Sequence, residues 1–314
     1  MPSLGFTPDD VATARGAFVL AKALVPEGFD DYLTHVEHAL QDPRFVDLTK
    51  RTAEVTGGEP DDHRVAELAT DLADHYLANP SHLKIVTGPL RPPPPQVAGF
   101  DLAVHYAPSE PDSPTGGDLY DWFVLPDGTV HVTLVDAVGH GVTSTRNALT
   151  VTHAIRTLAL EGHAFQDLIG RAAVALATIE SSLVATVLLA RLDPATGDVV
   201  LANGSHPRPV LATTAGDTEL LIPPLVGRGV GFPDPGSHSL VHRTLAPGDL
   251  LVLYTDGLIE SRKDYVEGET RLLGAVGRSA GLPTAAIPGV LATQMHDVVL
   301  HADDTVVIAI RAAR

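Results

Sequence analysis

The chain has 314 residues, 44% hydrophobic and 5% aromatic, with no cysteine and a formal net charge of −18. That length allows one large domain and a small one, taking a domain as roughly 100–200 residues. The composition excludes global disorder, and the missing cysteine excludes disulfides, thiolate metal sites and a cysteine nucleophile. The acidity argues against a nucleic-acid partner, whose phosphates such a surface repels. No apolar run approaches the roughly 20 residues needed to cross a bilayer. Met1-Pro2-Ser3-Leu4-Gly5-Phe6 lacks the basic and apolar regions of a signal peptide. The expectation is a cytoplasmic protein with no membrane attachment.

In chain order, residues 1–88 read as a small helical domain. Val65, Leu68, Leu72 and Tyr76 recur at helical spacing within residues 61–79, and Asp61 and Asp62 stand where a helix N-terminus favours negative charge. Phe29, Leu33, Val36 and Leu40 form a second stripe ended by Pro43, and Phe18, Ala21 and Leu24 a third before Pro26. Gly57-Gly58-Glu59-Pro60 separates the first stripe from the others. These stripes are expected to bury against each other, against a second copy in a homodimer, or against the domain that follows. Residues 89–96 carry four consecutive prolines, Pro92 to Pro95, and read as a semi-rigid polyproline linker.

From residue 97 to 314 the periodicity changes. Short β-rich runs fall at 100–106, 122–125, 130–135, 185–192, 199–202, 210–213, 250–255 and 306–310, several joined by turn signals such as Pro126-Asp127-Gly128. Two helical stretches, 145–160 and 165–179, lie together among them. Strands on both sides of a helix pair predict an α+β fold, a layered β-sandwich flanked by helices. Residues 223–238, dense in Gly and Pro, form a long loop of the size that often serves function.

Four aspartates stand out by position. Asp118 follows a glycine pair that lets the backbone turn tightly; Asp136 ends the 130–135 strand, Asp256 ends the 250–255 strand, and Asp303 precedes the last strand. Strand ends hold a site rigidly. The separations of 18, 120 and 47 residues exclude a local calcium loop, which packs its ligands into about twelve residues. Hard oxygen donors without cysteine suit Mg²⁺ or Mn²⁺ better than Zn²⁺. Two such ions roughly 3.5–4 Å apart lower the pKa of a shared water and aim it at phosphorus. Taken singly, each aspartate reads as well as a turn or capping residue.

The order of the motifs is more specific. Gly116-Gly117-Asp118-x-Tyr120-Asp121, Asp136-x-x-Gly139-His140-Gly141, Leu192-Asp193-Pro194-x-Thr196-Gly197, Asn203 with His206-Pro207, Leu253-Tyr254-Thr255-Asp256-Gly257-Leu258-Ile259-Glu260, and Asp303-Asp304 before a final strand follow in register. Together they resemble the SpoIIE-like branch of the PPM metal-dependent protein phosphatases, over about residues 97–312. The resemblance implies a β-sandwich flanked by helices and a serine/threonine phosphatase using two Mn²⁺ or Mg²⁺ ions. Its substrate would be a phosphorylated regulatory protein of the anti-anti-sigma type, in sigma-factor regulation. It implies Asp118, Asp136, Asp256 and Asp303 as metal ligands, Asp136 bridging both ions, with the Ala137 carbonyl as a further ligand. The final motif departs in register, which leaves Asp304 as the fallback for Asp303.

His140, in the loop of the bridging acid, is the candidate to protonate the leaving oxygen, because histidine titrates near neutrality; a packing or capping role competes with it. His206, Trp122, Tyr254 and Leu258 read as structural, and Asp121 as ordering the Gly116-Gly117-Asp118 turn. The loop 223–238 is a candidate lid or substrate dock. The N-terminal helices are expected to receive an upstream activator or to dimerise. Two functions compete: metal-dependent hydrolysis of phosphoserine or phosphothreonine, and a catalytically silent phosphatase-like binding module in the same kind of pathway. A nucleotide phosphodiesterase is disfavoured by the acidity.

Overall fold

The computed structural model describes residues 92–109, 116–139, 142–177, 183–260, 265–296 and 303–313, with isolated positions between 43 and 71. The helical stripes expected before residue 80 lie almost wholly outside the described residues. Of the isolated positions, Leu48 is buried within the core described below, and Arg51 pairs with Asp71 at 2.7 Å.

Ten strands make two antiparallel sheets. Strands β1 (Phe100–Ala107), β10 (Thr305–Ala312), β9 (Leu250–Tyr254), β6 (Val210–Ala212) and β7 (Thr218–Leu220) lie side by side in that order. The second sheet runs β2 (Asp118–Val124), β3 (Val130–Ala137), β4 (Ala185–Leu192), β5 (Asp198–Gly204) and β8 (Leu240–Thr244). Helices α1 (Val142–Leu160) and α2 (Leu168–Ala177) cover the outer face of the second sheet, and α3 (Tyr265–Ser279) and α4 (Ile287–Met295) that of the first.

The two-residue period of a strand explains the layering. Along β3, Val130, Val132 and Leu134 point into the core between the sheets, while Val135 and Ala137 point toward α1 and α2. Along β10, Val306, Ile308 and Ile310 join the same inter-sheet core, and Val307 and Ala309 meet α3 and α4. Because both faces are covered, these strands read as continuous apolar runs rather than alternating ones. The α+β sandwich flanked by helices is the fold found.

The strands seen beforehand are present, several of them longer than expected. β2 starts at Asp118 rather than at Trp122, and β3 runs on through Asp136 to Ala137. β7 and β8 were not expected; only Val241 of β8 is buried, so it carries almost no periodic signal. Helices α3 and α4 also escaped. Gly268, Gly274 and Gly277 dilute the helical signal of α3, and α4 is a short helix of nine residues.

Trp122 is buried in the inter-sheet core and its Nε1 donates to the Pro92 carbonyl at 2.7 Å, so the described part of the proline run is tied to the sandwich. The Gly/Pro-rich loop joins β7 to β8 and is fastened by isolated bridges from Val230 to Ala185 and from Gly227 to Gly204. Asp234 and His238 take left-handed conformations within it, at φ 54° and 53°. Strain of that kind, in a loop so firmly held, is a common companion of function.

Candidate metal centre

β2 and β3 pair so that Asp118 stands opposite Asp136. Both share the strand face of Tyr120, Trp122, Val132 and Leu134, which points between the sheets. In the other sheet β9 ends at Tyr254 and β10 begins at Thr305, and the Val306 amide donates to Thr255 Oγ1 at 2.9 Å. Asp256 opens a 3₁₀ turn directly after β9, and Asp303 and Asp304 directly precede β10. The Gly117 amide donates to Asp304 Oδ2 at 2.6 Å and closes the gap between the sheets. Thus all four predicted acids gather at one end of the inter-sheet core.

Their electrostatics show how closely they gather. Asp118 is buried, and burial pushes its carboxyl well above the usual carboxylate range; the charges of Asp136, Asp256 and Asp304 add to the rise, and a hydrogen bond from the Thr255 hydroxyl opposes it. Burial, then Asp303, Glu260 and Asp304, lifts Asp136 to about 6. Burial, then Asp136, Glu260 and Asp303, lifts Asp256 to about 7. Like charges that raise one another at close quarters call for a cationic partner. Asp118 Oδ2 is buried without any hydrogen-bond partner, a cost of about 1–3 kcal/mol for a polar group and more for a charged one. Among the described residues no group of three or more His, Asp or Glu side chains is spaced, as the side chains stand, to hold a metal ion. The acids converge without enclosing a finished site. An all-oxygen set with an orphaned buried oxygen fits a hard divalent cation.

The supporting contacts are specific. The Ala137 amide donates to the Gly117 carbonyl at 3.0 Å, and a Cβ on Gly117 would lie 2.7 Å from the Ala137 carbonyl oxygen. That carbonyl, the expected backbone ligand, therefore sits against the turn carrying Asp118. Thr186 pairs in register with Asp136 and hydrogen-bonds its carboxylate. Its hydroxyl also meets His206 Nδ1 at 2.8 Å. His206 is buried, which pushes its pKa down to about 3, and Asn203 holds it by accepting from the His206 amide and donating to its carbonyl. A residue read as merely structural therefore buttresses the partner of Asp136.

Two sequence readings need amendment. Asp121 does not order the glycine turn: it faces α1, where Arg156 Nη1 donates to both its carboxylate oxygens at 2.7 and 2.6 Å. Glu260 was not singled out, yet its charge raises both Asp136 and Asp256. The signal was present four residues after Asp256 in the Asp256-Gly257-Leu258-Ile259-Glu260 run. Asp303 is exposed, with Oδ1 accepting from the Asp304 amide at 2.7 Å, whereas Asp304 is buried. His140 lies outside the described residues. Tyr254 and Leu258 are packing residues, fully buried against α3 and α4.

Two helix-covered antiparallel sheets are a fold shared with solved PP2C-type phosphatase domains. In solved structures, the RsbU and RsbW domains of Rv1364c from Mycobacterium tuberculosis match with a TM-score of 0.64 at 23% identity, over 70% of this chain and 61% of that one. The PP2C phosphatase domain of SpoIIE from Bacillus subtilis, with a fragment of its regulatory domain, matches at 0.59 and 15%, over 68% and 62%. RsbX in complex with magnesium matches at 0.53 and 14%, over 70% and 98%. The chain thus spans about three-fifths of the length of the first two, and at these identities the likeness establishes the fold.

The family assignment rests on sequence. The Stage II sporulation protein E (SpoIIE) family model matches residues 126–313, and the chain belongs to that family. No helix among the described residues is long and apolar enough to cross a membrane.

Proposed function

We propose that the chain is a Mn²⁺- or Mg²⁺-dependent phosphatase that hydrolyses phosphoserine or phosphothreonine on a regulatory protein of the anti-anti-sigma type. The observation that carries this reading is the meeting of Asp118, Asp136, Asp256 and Asp303, from four separate strand ends, in one mutually repelling cluster. Membership of the SpoIIE family and the magnesium-bound relative RsbX support it. A silent binding module has no use for so costly a concentration of like charge.

In this reading Asp118, Asp136, Asp256 and Asp303, with the Ala137 carbonyl, would hold two ions, and Asp136 would be the acid they share. Bound there, the ions would offset the carboxylate charge, neutralise phosphoryl oxygens and lower the pKa of a water. The chain's own part is positional. Thr255 and Thr186 orient Asp118 and Asp136 by hydrogen bonds, and the closed inter-sheet core keeps the strand ends fixed. Attack by water forms a phosphorus–oxygen bond as the bond to the serine or threonine oxygen breaks. That oxygen takes a proton, for which His140 is the candidate donor. The loop 223–238 borders the start of β4 beside Thr186 and serves as the substrate dock. The N-terminal segment, residues 1–88, would receive the regulatory input or a second copy.

The test is Mn²⁺-dependent phosphate release from a phosphorylated anti-anti-sigma protein, with p-nitrophenyl phosphate as a generic substrate. Release that requires the metal and is lost on Asp136→Asn is the expected result; metal-independent release, or none from either substrate, contradicts the proposal.

A further inference from the structure

Asp304, the fallback ligand of the sequence reading, is placed for a different task. Its carboxylate is buried and takes three hydrogen bonds. Oδ1 accepts from the Ser109 amide at 2.7 Å and from Ser109 Oγ at 3.0 Å, and Oδ2 accepts from the Gly117 amide at 2.6 Å. These donors stand at the two ends of the segment between β1 and β2, and they lie 195 and 187 residues away in sequence. The Gly116 amide donates to Tyr106 Oη at 2.8 Å, which fastens the same turn from β1. The fit leaves no room: a Cβ on Gly116 would fall 1.7 Å from Asp304 Oδ2. The glycine at 116 is therefore demanded by Asp304 as much as by the turn.

A carboxylate with both oxygens committed to three N–H and O–H donors has little capacity left for an ion, whereas Asp118 Oδ2, next in line after the turn, has no partner. We infer that Asp304 is a positioning residue: it clasps Ser109 to Gly117, fixes the turn that aims Asp118, and leaves Asp303 as the ligand from this end of β10. The inference rests on the metal-site reading proposed above and assigns Asp304 the outer role within it. Outer hydrogen bonds that orient ligands typically change metal affinity by about 10–100-fold when removed.

The test measures Mn²⁺ binding by calorimetry on the full chain, with thermal unfolding of each variant as a check on folding. Asp304→Ala is expected to weaken Mn²⁺ roughly tenfold or more while keeping the same number of ions at saturation, and Ser109→Ala to weaken it several-fold. The double variant is expected to be no worse than Asp304→Ala alone, because both changes break one clasp. Asp304→Asn keeps an acceptor for Ser109 but turns a donor toward the Gly117 amide, so its affinity should lie between that of wild type and Asp304→Ala. Loss of an ion at saturation in Asp304→Ala, or wild-type affinity in Asp304→Ala, overturns the clasp while the metal site stands. A wild-type protein that binds no Mn²⁺ overturns both.

Discussion

Asp118 and Asp136 stand directly opposite each other in the register of β2 and β3, two carboxylates held face to face at the edge of an apolar core. Without a cation this pairing costs stability. Asp136→Asn removes one of the charges and keeps an oxygen for the Thr186 hydroxyl. In metal-free buffer at neutral pH the variant is expected to be more stable than wild type by about 1–3 kcal/mol, taking about 1.4 kcal/mol per pKa unit. Its Mn²⁺-dependent phosphatase rate should fall at least about a hundredfold. Denaturant unfolding with and without Mn²⁺, beside the activity assay, checks both. A gain in stability with a loss of activity is the signature of a site strained for function.

Gly117→Ala tests the turn. The added Cβ would meet the Ala137 carbonyl oxygen at 2.7 Å and Ser144 Cβ at 3.2 Å. The backbone around Asp118 and the Ala137 carbonyl must then shift together. Mn²⁺ affinity is expected to drop about tenfold or more, measured by titration at constant ionic strength.

Arg156→Ala tests an ion pair remote from the chemistry. It leaves Asp121 buried without its counter-charge and removes the guanidinium stacked 4.4 Å from the Phe123 ring centroid. Because the Arg156 side chain is 43% exposed, screening reduces the effect, and a loss of about 1–2 kcal/mol is expected in urea unfolding. Mn²⁺ affinity should stay within a few-fold of wild type.

Acid should weaken the fold at its buried imidazoles. His131 is fully buried between Phe123 and Phe165. Arg191 Nη2 faces its Nδ1 at 3.4 Å, so Nδ1 is the bare nitrogen and Nε2–H donates to Thr133 Oγ1 at 3.0 Å. Burial, with the charges of Arg191 and Arg156, pushes its pKa from 6.5 down to about 3. A histidine depressed on folding is protonated first in the unfolded chain. Its contribution is complete above pH 6.5 and shrinks as pH falls toward 3, by about 1.4 kcal/mol per unit. The raised carboxylates of the acid cluster act with the opposite sign over the same range, so the histidine is read by difference: between pH 7 and pH 5 wild type should lose stability relative to His131→Phe with a slope of about one proton.

Much of the candidate site, the acids that the fold brings together, was legible because each acid follows or precedes an apolar strand, and strand ends are easy to see. Asp118, Asp136, Asp256 and Asp303 announced themselves in this way. What stayed hidden depends on contacts between distant segments. Nothing local to Asp304 reveals that its partners are Ser109 and Gly117. Glu260 looks like an ordinary exposed acid after a turn until the fold brings Asp136 beside it. Asp121 could have been placed correctly: the two-residue period puts it on the face of Leu119 and Phe123, toward the helices, and Asp118 on the face of Tyr120 and Trp122. The strand begins at Asp118, four residues before the apolar run at Trp122 that marks it in the sequence. Helices α3 and α4 were missed because glycines and short length weaken a periodic signal that tertiary packing then overrides.

The most direct measurement is anomalous X-ray diffraction at the manganese edge from crystals grown with Mn²⁺. Two anomalous peaks bounded by Asp118, Asp136, Asp256 and Asp303, with Asp304 still bonded to Gly117 and Ser109, are predicted. Manganese bound only at other carboxylates, or this cluster free of anomalous density at millimolar Mn²⁺, would contradict the account.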